Sequence, residues 1–90
     1  MLSVDQSKQF KKDSKLMQKR LKDMRKMIST IAYLVNEIPL PPQYKEHPLH
    51  GNYSGSLECH IEPDWLMIYE IDNANKILYL SRTGTHSDLF

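Results

Sequence analysis

From Gln6 to Glu37 the chain carries neither glycine nor proline, and Met17, Leu21, Met24, Ile28, Ile31 and Val35 recur at steps of four, three, four, three and four. That spacing lines apolar side chains along one stripe of an α-helix. A single helix of this length would run to roughly 45 Å, too long for a compact domain built from so short a chain. A break is therefore expected near Arg20–Asp23, with Asp23 capping a second helix and the two helices antiparallel. Ahead of them Leu2-Ser3-Val4 alternates briefly and predicts an edge strand.

Ile38-Pro39-Leu40-Pro41-Pro42 ends the helical region, because three prolines remove donors and fix φ. The connection Pro41–Tyr53 is long and carries Tyr44, Lys45, His47 and His50. Connections of that length without structure of their own are often functional. Three strands are predicted next, Ser56–Glu62, Trp65–Ile71 and Lys76–Arg82, with Asp72-Asn73-Ala74-Asn75 as the second turn. Pro63-Asp64 suits the first reversal, since proline presets φ and aspartate tolerates the next turn position. If Glu62 faces Trp65, then Leu57, Cys59, Ile61, Leu66 and Ile68 form an apolar face under the helices. Glu58, His60, Glu62, Trp65, Met67 and Tyr69 then form a mixed polar and aromatic working face. The third strand is ambiguous, because Ile77 and Tyr79 are apolar as well as Leu78 and Leu80. In the tail, Thr85 or Ser87 could start one helical turn, with Phe90 packing down.

The 90 residues make one domain with one modest core. No apolar run reaches the ~20 residues of a membrane span, and Met1–Phe10 lacks the apolar centre of a signal peptide. The lone Cys59 has no disulfide partner, so a reducing cytoplasm is the default location. The net charge of +1 hides an asymmetry. Through Lys26 there are nine basic residues against three acids, a net +6; the remainder holds three against eight, a net −5. A basic half can offer a face to a polyanion, although a solvated lysine-rich helix surface has the same composition.

All four histidines, His47, His50, His60 and His86, fall in the second half, beside Glu62, Asp64 and Arg82. Three readings stay open on residues alone. His and Asp could act as acid and base around a phosphodiester, with Lys45 or Arg82 steadying charge and aromatics stacking bases. His47, His50 and His60 or Asp64 could hold a metal, but Pro48 interrupts the pair and no further cysteine supports a zinc site. Or these are ordinary loop and strand-end histidines.

Three segments sharpen the reading: Tyr44-Lys-Glu-His47-Pro-Leu-His-Gly51, Cys59-His60-Ile-Glu-Pro-Asp64-Trp65-Leu-Met-Ile-Tyr69 and Arg82-Thr-Gly-Thr-His86-Ser-Asp-Leu-Phe90. Together, and in this order, they resemble YafQ-type toxins of the RelE/ParE superfamily of bacterial toxin–antitoxin systems. The resemblance implies an α+β, RelE-like fold: an N-terminal edge strand, two antiparallel helices, then a three-stranded antiparallel meander completing a small curved sheet. It implies a ribosome-dependent mRNA endonuclease without cofactor or metal, held inactive by a DinJ-like antitoxin and reaching operator DNA only through that complex. By position it puts the catalytic residues at His47, His60, Asp64, Arg82 and His86, and substrate contacts at Lys45, Trp65 and Phe90.

The expected reaction is attack of a ribose 2′-OH on the adjacent phosphorus, with Asp64 or His60 as base and His86 as acid. Arg82 would neutralise the phosphorane, and Phe90 and Trp65 would orient a base by stacking. The chain departs from the family at Leu57, where an arginine commonly precedes the strand histidine. That departure keeps an alternative alive: a weak or inactive member serving as antitoxin-binding co-repressor component. A ParE-like gyrase inhibitor fits less well, since gyrase poisoning needs no acid–base groups.

Overall fold

The computed structural model describes residues 1–90. β1 (Ser3–Gln6) leads into α1 (Lys8–Lys19) and α2 (Met24–Val35); β2 (His47–Pro48), β3 (Leu57–Glu62), β4 (Trp65–Asp72) and β5 (Ile77–Gly84) follow, and α3 (His86–Leu89) ends the chain. The five strands form one sheet in the order β1-β5-β4-β3-β2. β1 runs parallel to β5 and the other neighbours are antiparallel. The Pro41–Tyr53 connection, expected to lack structure, holds β2 and two single-turn helices at Pro42–Tyr44 and Gly51–Tyr53.

Each helix begins on a side-chain cap. The Ser7 hydroxyl accepts from the Phe10 N–H, and the Asp23 carboxylate accepts from the Arg25 N–H, satisfying donors that the first turn leaves unpaired. Both helices end on a left-handed residue. Leu21 (φ 62°) and Glu37 (φ 58°) let Lys22 N–H reach the Met17 carbonyl and Ile38 N–H reach that of Tyr33. The expected break at Arg20–Asp23 is thus a Schellman-type stop followed at once by a new cap.

The helical layer and one face of the sheet enclose the main core, which includes Phe10, Met17, Met27, Leu34, Cys59, Trp65, Met67, Tyr69, Leu78 and Leu80. On the opposite face Leu66 and Ile68 are covered by Leu89 of α3 and by Leu49 and Tyr53 of the connection. Two sequence expectations fail here. The break resets helical phase, so Leu21 and Ile28 of the supposed stripe are exposed while Phe10 and Thr30 are buried. The assignment of sheet faces also fails, because β3 carries a bulge. Glu62 faces Trp65, but the next pair is His60 with Leu66, leaving Ile61 as the extra residue. From there on every β4 side chain changes sides.

Candidate active site

Two bulges set up the site. The one at Ile61 puts His60 and Glu58 across from Leu66 and Ile68, on the face away from the helices. The second, at Ser81 in β5, puts Arg82 opposite Ile68, whereas strict alternation would have kept it on the Leu80 side. Cross-strand rows therefore read Arg82, Ile68, Glu58, His47 and, next to it, Gly84, Leu66, His60. Bulges commonly re-aim a side chain beside a working site.

Three imidazoles stand in file across this end of the sheet. The His60 ring centre lies 6.3 Å from that of His47 and 5.9 Å from that of His86. α3 delivers His86. Thr85 caps it reciprocally with Asp88, and Arg20, the residue that ends α1, grips Asp88 through two guanidinium nitrogens at 2.7 and 3.1 Å. That pairing holds the Asp88 carboxyl far below the usual carboxylate range. The Pro63-Asp64 turn supplies Asp64. Its Oδ1 accepts from the His86 backbone N–H at 3.0 Å and from His86 Nδ1 at 2.6 Å. These two bonds, the backbone one foremost, hold the Asp64 carboxyl below its ordinary range, so it is ionised at neutral pH.

The hydrogen bonds assign ring protons. A carboxylate only accepts, so His86 Nδ1 carries hydrogen and its Nε2 is open to solvent or substrate. His60 Nδ1 faces the Pro63 carbonyl at 3.3 Å, which leaves Nε2 as its free lone pair. His47 donates from Nδ1 to the Lys45 carbonyl at 2.8 Å, while its Nε2 lies 3.3 Å from Glu58 Oε1. Glu58 is buried, and its Oε2 has no partner. The contact with Glu58 is attractive only when a proton lies between the two groups.

Arg82 stands apart from the file. Its Nε donates to Asp13 Oδ2 at 2.8 Å, and Asp13 also accepts from the Thr83 N–H. The Asp13 carboxylate raises the guanidinium pKa further, with Tyr53 contributing less. Phe90 packs edge-on against Tyr53, ring centres 5.8 Å apart, and is 65 % exposed. Lys45, in the left-handed region at φ 49°, makes no ion pair and lines a cleft beside His60.

Trp65 requires a correction. Expected on the working face to stack a base, it is 0 % exposed beneath the helices, with Nε1 donating to Thr83 Oγ1 at 2.9 Å. It anchors β4 to β5 and has no surface to offer a base. Cys59 is equally sealed, and burial pushes its thiol up to about 12, so it is no nucleophile. Leu57 packs against the main core, on the face away from His60.

Three residues that shape the site carry no catalytic or binding role in the sequence expectation. Glu58 had a signal, since it lies two positions before His60 on the same strand. Asp13 had none, because nothing local in a lysine-rich helix points to an arginine 69 residues away. Tyr53 had only its place in the loop.

Comparison with known proteins gives a consistent picture. Residues 2–90 match the family described as the bacterial toxin of type II toxin–antitoxin system, YafQ. The chain is 47 % identical over 88 residues to the mRNA interferase toxin YafQ of Escherichia coli K12, covering 97 % of this chain and 94 % of that one. It is 37 % identical over 91 residues to the putative toxin YafQ of Haemophilus influenzae, covering 96 % and 89 %. The crystal structure of YafQ from Escherichia coli BL21(DE3) superposes with a TM-score of 0.92 at 44 % identity, covering 100 % of this chain and 99 % of that one. In the crystal structure of the Escherichia coli DinJ–YafQ complex, the matching chain gives a TM-score of 0.91 at 45 % identity, with the same coverage.

Proposed function

The chain belongs to the YafQ family of toxins from bacterial type II toxin–antitoxin systems, and on that footing we propose that it is an endoribonuclease cutting messenger RNA on the ribosome by its own acid–base groups. The observation that carries this reading is the file His47–His60–His86 with Asp64 bonded at its end.

His60 Nε2, with Nδ1 turned to the Pro63 carbonyl, takes the proton of the ribose 2′-OH. The 2′-oxygen then bonds to the adjacent phosphorus, and the bond from phosphorus to the 5′-oxygen breaks. His86 gives its Nε2 proton to that leaving oxygen. The products are a 2′,3′-cyclic phosphate and a 5′-hydroxyl. Asp64 fixes the His86 ring and stabilises its imidazolium, the same division of labour as in a carboxylate–histidine pair of a hydrolase. His60 rather than Asp64 is the base in this reading, which the bonding of Asp64 Oδ1 to His86 supports. Arg82, braced by Asp13, adds positive charge around the phosphorane, and His47 at the other end of the file contacts the phosphate. Phe90, propped on Tyr53, offers a ring on which a base can stack.

The exposed lysines of α1, among them Lys11, Lys12, Lys15 and Lys19, are the part of the chain suited to ribosomal RNA, so the ribosome positions a message that the acidic sheet half binds poorly. The partner is a DinJ-like antitoxin, as in the Escherichia coli DinJ–YafQ complex. Operator DNA is reached only through that protein. Leu16, Leu21 and Ile28 remain exposed on the helical layer for a protein partner to cover. No helix is long and apolar enough to cross a membrane.

Mapping 5′ ends on a translated message after induction without antitoxin tests the reading. Cuts in codon register, absent when ribosomes are kept off the message, are expected. No cuts would favour the antitoxin-binding co-repressor that Leu57 leaves open, and cuts without register would overturn the dependence on the ribosome.

A further inference from the structure

We propose that a cleft beside His60 is the subsite for the nucleotide next to the scissile phosphate, and that Gln43 and Ser29 read its base. The proposal rests on the nuclease reading above. The cleft, about 570 Å³, opens between the end of the β3–β4 hairpin, α2 and the Pro42–Tyr44 turn. That volume lies within the range of small-ligand sites, about 300–1,000 Å³.

Its position is the first argument. His60 is a wall of the cleft and also the middle imidazole of the catalytic file. In the proposed pose an RNA strand whose phosphate rests between His60 and His86 passes its adjoining nucleoside around the end of the hairpin toward the cleft. The catalytic file does not use Gln43, Ser29 or Lys26, which complete the cleft wall.

The lining supplies the second argument. Most of its lining residues carry a polar or charged group, set among aliphatic stems. Lys26 is bonded to Glu62 at 2.8 Å, and Lys22 takes the other carboxylate oxygen at 3.1 Å. Those two bonds hold Glu62 ionised below its ordinary range while offsetting its charge. Lys45 has no carboxylate partner, so it is the cation left over for a phosphate. The Gln43 amide carries a donor and an acceptor side by side, and the Ser29 hydroxyl can serve as either. A base edge that presents a donor beside an acceptor is the complement of such a pair. Tyr44, edge-on to Tyr33 with ring centres 6.0 Å apart, is braced as the back wall.

The test is 5′-end mapping on translated messages in which the codons spanning the cut are randomised. Wild type is compared with Gln43→Ala, Ser29→Ala and Lys45→Gln, with His86→Gln as the chemical control. Gln43 and Lys45 are exposed, so their truncation spares the core, and melting curves check the fold. Wild type is expected to prefer one base at one flank of the cut, and Gln43→Ala to relax that preference about two- to tenfold, the value of one neutral hydrogen bond. Ser29→Ala relaxes the same position, and Lys45→Gln raises the message concentration giving half-maximal cutting. Preferences identical to wild type in both Gln43→Ala and Ser29→Ala, or no flanking preference in wild type, overturn the subsite. If His86→Gln is inactive in that experiment, the reaction itself still stands; undiminished cutting by His86→Gln removes the His60–His86 site and the subsite with it.

Discussion

Asp64 Oδ1 sits 2.6 Å from His86 Nδ1 and 3.0 Å from the backbone N–H of the same residue. One carboxylate oxygen thus fixes both the ring and the start of the last helix. Replacing Asp64 by Asn keeps the size of the group and removes its charge, so the His86 imidazolium loses its counter-ion. Single-turnover cutting of a translated message is expected to slow about 10²- to 10⁴-fold. A rate within about threefold of wild type would reduce Asp64 to a turn residue.

Arg82 meets its partner across 69 positions of sequence, Nε donating to Asp13 Oδ2 at 2.8 Å. Asp13 is a positioning residue in this account, acting through the guanidinium. In a double-mutant cycle, Asp13→Asn is expected to slow cutting in the wild-type background and to add little once Arg82 is Ala, because coupled groups are non-additive. Melting curves separate this from the loss of the Asp13 bond to the Thr83 N–H. Fully additive losses would show that Asp13 only supports the fold.

The last helix is held by the Arg20–Asp88 pair, and its hold depends on pH. The Asp88 carboxyl is depressed chiefly by the Arg20 side chain and next by the Thr85 backbone N–H. A depressed carboxyl contributes its stabilisation fully above the ordinary carboxylate value, about 4, and loses it as pH falls toward the folded value. NMR line positions of His86 and Phe90 are expected to stay native at neutral pH and to drift toward those of a free tail in acid. Arg20→Gln should give the same drift at pH 7; a docked tail in that variant would show that Leu89 packing alone suffices.

Much of the architecture was open to a reader of the sequence, and the misses share a cause. Caps at Ser7 and Asp23, the proline block and the Asp72–Asn75 turn all act locally, so each element follows from neighbours a few residues away. The helix break was legible from length, but its consequence for phase was not, and Leu21 and Ile28 were assigned to the core in error. The β3–β4 faces failed for a similar reason. Alternation presumes unbroken register, and one inserted residue, Ile61, carries Trp65, Met67 and Tyr69 into the core and Leu66 and Ile68 out of it. No residue type announces a bulge of this kind. His60 and Asp64 were legible because they flank one turn, whereas Asp13 and Arg82 are brought together only by α1 lying along β5.

Leu21, the left-handed residue after α1, is 91 % exposed. A non-glycine residue there costs roughly 1–2 kcal/mol, part of which glycine returns through the entropy of its unfolded chain. Leu21→Gly is therefore expected to stabilise the protein by about 0.5–1 kcal/mol. Urea denaturation should show a higher midpoint with an unchanged slope. A lower midpoint would mean that the leucine packs usefully where the structure leaves it in solvent.

The most direct measurement replaces the ribose on the 5′ side of a mapped cut with 2′-deoxyribose in an otherwise identical translated message. Cutting at that position is expected to vanish, with the unmodified message yielding a 2′,3′-cyclic phosphate and a 5′-hydroxyl and His60→Ala suppressing it about 10²-fold or more. Undiminished cutting of the deoxy-substituted message, or product ends bearing a 5′-phosphate, would contradict attack by the 2′-oxygen between His60 and His86.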